Sequence, residues 1–216
     1  MKSPTRSGLY GLSTLFFNAW AAIFLLSAAN AAEAPKVLML GDSITAGYGL
    51  PPEDALPVRL EAYLKSAGSP AKVINAGVSG DTSAGGRARL GWALAEKPDF
   101  AIVALGGNDL LRGIDPKDTR ANIDAILAEL KAKGIKTLLA GMLAPPNLGR
   151  DYGVAFNAVY PDLAKKYDVT LYPFLLEGVA MDASLNQADG IHPSRKGVDA
   201  VVERLGPAVK KLLSGS

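Results

Sequence analysis

Apolar residues along this chain follow two alternating rhythms. Short unbroken runs, such as Val37 to Leu40 and Phe100 to Leu105, are separated by stretches where apolar residues recur every three or four positions. An unbroken run marks a strand covered on both faces, and the three-to-four spacing puts one apolar stripe on a helix. The first strand is followed by a helix carrying Leu56, Leu60, Tyr63, Leu64 and Ala67 on one side. Lys72 to Asn75 reads as the second strand, residues from about Thr82 to Ala95 as helical, and Phe100 to Leu105 as the third strand. Ile123, Ile126, Leu127 and Leu130 mark a helix stopped by Gly134, since glycine just past the last periodic residue is a common helix end. Thr137 to Ala140 is the fourth strand, residues 152–167 a helix kinked at Pro161, and Thr170 to Tyr172 a short last strand. Pro145 and Pro146 exclude a regular element from the loop Met142 to Gly149. Val198, Val201, Val202, Leu205 and Val209 stripe a C-terminal helix expected to bend at Gly206-Pro207.

Repeated strand–helix units imply a parallel sheet with helices on both faces, because parallel neighbours need crossovers. Such sheets bind ligands beyond the carboxyl ends of their strands. The turns Gly41 to Gly47, Ala76 to Asp81 and Gly106 to Asp109 therefore share one edge, although they are distant in the chain. No linker or repeat divides residues 32–216, which are read as a single domain.

The beginning of the chain has a different character. Lys2 and Arg6 precede the apolar segment Leu15 to Ala29, interrupted only by Asn18 and Ser27, and Ala29-Asn30-Ala31 supplies small residues for cleavage. Residues 1–31 are read as an export signal, with a periplasmic or secreted product. An uncleaved anchor is the competing reading, since Leu9 to Ala29 approaches the ~20 residues that span a bilayer. Once the signal is removed, no stable membrane insertion is expected.

Removing that segment takes away two basic residues and no acidic one, which leaves a neutral chain. A neutral chain lacks the excess positive charge that nucleic acid binding draws on. The absence of cysteine excludes thiolate catalysis and cysteine-ligated zinc.

The first shared turn contains Gly41-Asp42-Ser43. A serine hydroxyl becomes a useful nucleophile only when a base takes its proton and donors hold the oxyanion formed on attack. His192, the single histidine, lies in Asp189-Gly190-Ile191-His192-Pro193. Asp189 can accept from one ring nitrogen and leave the other to take the proton of Ser43. The backbone N–H groups of Ser43 and Gly77 and the side-chain amide of Asn108 are candidate oxyanion donors, one from each turn.

Gly41-Asp42-Ser43, Gly77, Gly106-Gly107-Asn108-Asp109 and Asp189-Gly190-Ile191-His192-Pro193 resemble, in order, the four signature blocks of the SGNH, or GDSL, hydrolases. The resemblance implies a flavodoxin-like three-layer α/β/α sandwich around a parallel sheet of about five strands. It also implies Ser43 as nucleophile, His192 as base, Asp189 as its orienter, and an oxyanion hole of Ser43, Gly77 and Asn108. Within the family, Gly80-Asp81-Thr82-Ser83, Leu105 to Asp109 with Leu111-Arg112-Gly113, and Pro145 through Tyr152 resemble the bacterial periplasmic group of acyl-CoA thioesterases, arylesterases and lysophospholipases. That likeness implies small ester or thioester substrates, no metal or organic cofactor, a monomeric chain, and substrate contacts from Leu111, Ala144, Pro145 and Asn147. Ala144 and Pro146 depart from the group's flap, so acyl-length preference does not carry over. The serine is not in a G-x-S-x-G elbow, because Thr45 replaces the second glycine.

Other features receive plainer readings. Asp42 and Asp109 are read as turn residues, and Gly85-Gly86 and Gly106-Gly107 match no nucleotide fingerprint. Trp92, Phe100, Phe156 and Phe174 are assigned to the core, and Arg87, Arg89 and Lys97 to a solvated helix face. Leu110, Leu111, Leu143 and Leu148 either line an acyl groove or are ordinary half-buried leucines. The alternative functions are a carbohydrate O-acetyl esterase of the same family and a non-catalytic flavodoxin-like binding module.

Overall fold

The strands β1 (Lys36–Gly41), β2 (Lys72–Gly77), β3 (Phe100–Ala104), β4 (Lys136–Ala140) and β5 (Thr170–Tyr172) pair in the order β2-β1-β3-β4-β5, every pairing parallel. This computed structural model describes Met1 and residues 33–215; the expected export signal, but for Met1, lies outside the described residues. Crossovers come from α1 (Ser43–Ala46) and α2 (Leu56–Ser66), then α3 (Ser83–Ala88) and α4 (Leu90–Ala93), then α5 (Gly107–Leu111) and α6 (Pro116–Ala132), then α7 (Arg150–Asn157) and α8 (Val159–Tyr167). The last helix, α9 (Arg195–Ser214), packs beside α2, and α6 packs between α3 and α8. Two helical layers thus flank the sheet, as the alternating pattern requires.

The unbroken apolar runs are the centre of this arrangement. Leu38, Leu40, Ile102, Val103, Leu138 and Leu139 are completely buried. Cutting one such leucine to alanine costs ~2–5 kcal/mol, a large share of the ~5–15 kcal/mol that holds an ordinary domain together. The core therefore fixes the strand register, and the register fixes the functional edge. Gly41 pairs with Gly77 on one side and Ala104 on the other, so the chain leaves β1, β2 and β3 at one level. The crossover from β1 returns on one side while β3 lies on the other, and this reversal opens the crevice where such sheets bind ligands.

Three expectations need correction. The helix expected over residues 152–167 is two helices, α7 and α8, joined at Ala158. Pro161 has no N–H for the carbonyl of Asn157, so the ladder cannot run through, and the N–H of Ala158 closes α7 on the carbonyl of Val154 at 3.2 Å. The loop after β4 does hold one short 3-10 turn, Pro146–Leu148, because a proline at its start gives up only an N–H that is unpaired there anyway. Trp92 is 78% exposed rather than in the core: α4 is a single turn whose inward positions are Leu90 and Ala93, leaving Trp92 on the outer side. Apart from these, α9 spans Gly206-Pro207 without ending there, and the Tyr63 ring of α2 packs where Gly206 has no side chain.

Candidate active site

Ser43 is the first residue of α1, directly beyond the carboxyl end of β1. Its N–H therefore has no intrahelical acceptor. Asp42 caps this helix, its Oδ1 accepting from the N–H of Ile44 at 3.1 Å. The Asp42 side chain is 2% exposed, and burial pushes its carboxyl up to about 6, against the opposing pull of the Ile44 N–H.

The Asp189–His192 turn precedes α9 and reaches over α1. His192 Nε2 lies 2.8 Å from Ser43 Oγ, and His192 Nδ1 lies 2.7 Å from Asp189 Oδ2. The other carboxylate oxygen, Oδ1, accepts from the backbone N–H groups of Ile191 at 2.9 Å and His192 at 3.0 Å. The His192 backbone donor, then its ring, then the Ile191 N–H hold the Asp189 carboxyl down at about 2. The carboxylate is thus ionised at neutral pH and faces Nδ1, which places that nitrogen's proton toward Asp189 and leaves Nε2 as acceptor for the serine proton. Hydroxyl, imidazole and carboxylate meet in one line at one rim of the sheet.

The other two turns are tied down from behind. Asn108 enters from α5, and its Nδ2 donates one hydrogen to the carbonyl of Asp81 at 2.9 Å, leaving a second. Gly106, which starts that turn, adopts φ 113°, and a Cβ there would lie 2.1 Å from Tyr160 Oη. Only glycine combines that backbone with that neighbour. Asp109 is buried and accepts from the N–H of Ser83 at 2.7 Å, from Ser83 Oγ and from Thr119 Oγ1 at 3.0 Å. It anchors the third turn to α3 and α6, in keeping with the turn role read from the sequence.

Gly77 stands where its register puts it, and its need for glycine comes from α1. A Cβ would lie 2.2 Å from the nitrogen of Ala46 and 2.7 Å from the carbonyl carbon of Thr45. Its N–H donates to Asn75 Oδ1 at 3.0 Å. It would have to exchange that partner before it could serve an oxyanion.

A cavity of about 210 Å³ opens over this group. Ser43, Asn108 and His192 reach it, and Tyr48, Leu111 and Ile191 form apolar parts of its wall. A larger cavity, about 650 Å³, opens beside the amino ends of β4 and β5, where Lys136 and Thr170 lie. It is at the opposite edge from the serine and the histidine. Of the expected substrate contacts, Leu111 lines the smaller cavity, whereas Ala144, Pro145 and Asn147 do not. The N–H of Ala144 is held by Asn157 Oδ1 at 2.8 Å, and Pro145 and Asn147 are exposed. Leu110 is turned into the core, and Leu143 and Leu148 are exposed away from the cavity wall.

Arg89 corrects the reading of a solvated helix face. Its side chain is 18% exposed; Nε donates to Asp81 Oδ2 at 2.6 Å and Nη2 to the carbonyl of Gly41 at 2.8 Å. One guanidinium thereby joins the end of β1 to the turn after β2, a planar-fork task suited to arginine. The available signal was its spacing: three residues from Gly86 and four from Ala93, it falls on the buried side of the helical pattern. Tyr48 was also missed, and its ring lies 4.6 Å from the imidazole between centroids.

The chain is similar to known proteins over most of its length. Residues 39–200 match the GDSL-like Lipase/Acylhydrolase family. The chain is 40% identical to Esterase TesA of Pseudomonas aeruginosa over 203 residues, 94% of this chain and 100% of that protein. It is also 40% identical to Thioesterase 1/protease 1/lysophospholipase L1 of Escherichia coli K12, over 86% of this chain and 88% of that one. Among solved structures, AlinE4, an SGNH-hydrolase family esterase, superimposes with a TM-score of 0.71 and 49% identity, covering 83% of this chain and 96% of that one.

Proposed function

The chain belongs to the GDSL-like lipase/acylhydrolase family and is an ester hydrolase, and from that premise we propose that it works through an acyl-enzyme formed on Ser43. The observation that carries this reading is the pair of contacts at His192, 2.8 Å to Ser43 Oγ and 2.7 Å to Asp189 Oδ2. Ser43 Oγ attacks the carbonyl carbon as His192 Nε2 takes its proton. Asp189 keeps the imidazole in the required tautomer and stabilises the imidazolium. The developing oxyanion is held by the Ser43 N–H, the remaining Asn108 amide hydrogen, and the Gly77 N–H once it leaves Asn75. His192 returns the proton to the departing alcohol or thiol. It then deprotonates a water that attacks the acyl-enzyme, and returns that proton to Ser43 Oγ as the acid leaves.

The substrates in this proposal are carboxylic esters, aryl esters among them, acyl thioesters and lysophospholipids, following the names of the relatives. The mouth supports the choice: Tyr48, Leu111 and Ile191 are 53%, 66% and 46% exposed and offer apolar surface beside the serine. The cavity's about 210 Å³ suits a short acyl group, and this favours a second reading as an O-acetyl esterase. A panel of acyl-CoA, p-nitrophenyl esters of increasing length, acetylated carbohydrate and lysophospholipid separates the two. Ser43→Ala should lower turnover on every active substrate by ~10⁴-fold or more. Activity surviving that substitution would refute the acyl-enzyme.

Export belongs to the same proposal and rests on the sequence. Mass measurement of the protein from a periplasmic or culture fraction should give a chain beginning at Ala32. Full-length protein retained in the membrane would instead indicate an anchor.

A further inference from the structure

The central contact joins residues 149 positions apart, and the two partners ride on different supports. Ser43 is carried by α1, fastened to the sheet, whereas His192 is carried by an exposed turn before α9. Asp189 belongs to that same turn. Its hydrogen bonds orient the imidazole within the turn but do not locate the turn over Ser43. A single hydroxyl–imidazole hydrogen bond is too weak to hold a loop in place by itself.

Beyond the turn, Arg195 Nε reaches Asp54 Oδ1 at 3.0 Å; within the turn itself the tie is made by Gln187. Its backbone N–H donates to the carbonyl of His192 at 2.8 Å, and its carbonyl accepts from the N–H of Gly190 at 2.9 Å, closing the turn. Its side-chain Nε2 donates to the carbonyl of Pro193 at 3.0 Å and, across the gap, to the carbonyl of Tyr48 at 2.8 Å. The N–H of Tyr48 in turn donates to the carbonyl of Ser43 at 3.0 Å. The peptide of Ser43 is thereby linked to the peptide of His192 through three successive hydrogen bonds. Both partners of Nε2 are carbonyl oxygens, so the hydrogen-bond pattern itself sets which end of the amide faces them. Gly49 leaves space for the bridge, since a Cβ there would lie 2.2 Å from Gln187 Oε1. The Tyr48 ring rests against the imidazole, tilted by 40°.

We propose that Gln187 is a positioning residue that locates His192 over Ser43 by bridging the histidine turn to the Tyr48 backbone. The proposal rests on the serine–histidine reading above. It deepens that reading by saying what sets the distance between the two groups.

The test compares Gln187→Met, which keeps the reach without a donor, and Gln187→Glu, whose carboxylate would face two carbonyl oxygens. Steady-state hydrolysis of p-nitrophenyl acetate, thermal unfolding and proton NMR would be measured on each. His192 is the only histidine, so its hydrogen-bonded ring proton, far downfield of the amides, identifies itself. Misplacing a reacting group by an ångström can cost about 10²-fold, so kcat should fall ~10–100-fold. KM should stay within about twofold, because apolar binding surface is untouched. The downfield proton should persist, since Asp189 and His192 move together. Unchanged kcat in both variants, a change confined to KM, or a loss of kcat together with the downfield proton would each overturn the bridge. Ser43→Ala, assayed alongside, separates the two levels. Activity in that variant sinks the serine mechanism itself, whereas an inactive Ser43→Ala beside fully active Gln187 variants sinks only the bridge.

Discussion

Two aspartates stand close to the serine–histidine pair, and their surroundings are opposite. Asp189 lies on an exposed turn, accepts from two backbone N–H groups and the imidazole, and is held at about 2. Asp42 is the direct neighbour of Ser43, is 2% exposed, accepts from one backbone N–H, and is pushed up to about 6 by burial. Solvent and the number of donors decide how readily each carboxyl gives up its proton. The one in contact with the imidazole is 146 positions from the serine, and the adjacent one serves as a helix cap.

Substituting each aspartate by its amide tests this contrast at its strongest. Asp189→Asn keeps the shape of the turn but permits the wrong imidazole tautomer, and kcat should fall by ~10⁴-fold. A loss of less than tenfold would remove Asp189 from the proposed relay. Asn108→Ala, which leaves both carboxylates alone, should lower kcat by ~10²–10³-fold with little change in KM. A comparable rise in KM at constant kcat would make Asn108 a binding group instead.

Asp42→Asn should leave kcat within about tenfold, and its signature is stability. Folded Asp42 keeps its proton to about 6, while the unfolded side chain loses it near its ordinary 3.8. The native protein therefore binds more protons than the unfolded chain in that interval, and stability falls as pH rises through it. The full effect is at most ~3 kcal/mol, present below pH 4 and lost above pH 6. Urea unfolding at intervals from pH 4 to 7 should show Asp42→Asn gaining on the native protein as pH rises. Parallel stability curves would contradict the assignment of the raised carboxyl to Asp42.

The same contrast explains what could be read from the sequence. β1, β3 and β4 were legible because buried parallel strands are written as unbroken apolar runs, and the three turns followed from the fold's edge. The positions of Ser43, Asp189 and His192 were legible because each has local companions, Gly-Asp before the serine and Gly-Ile between the aspartate and histidine. The cross-links of Arg89 and Gln187 were not, since they end on the backbone carbonyls of Gly41 and Tyr48, far along the chain and without a side-chain signature, although Arg89 also bonds the nearby Asp81 carboxylate. Trp92 is hydrophobic without being buried, because its one-turn helix buries only Leu90 and Ala93 of its four residues. The flap after β4 was read from likeness alone, and its residues Ala144, Pro145 and Asn147 stand off the cavity that Leu111 lines.

The central claim is that one imidazole activates one hydroxyl. Its most direct measurement is covalent labelling by a fluorophosphonate, followed by peptide mass mapping, in the native protein and in His192→Ala. The expected result is a single adduct on the peptide containing Ser43, and labelling slowed by ~10³-fold or more without the imidazole. An adduct on a different residue, or a Ser43 labelling rate indifferent to the loss of His192, would contradict the account.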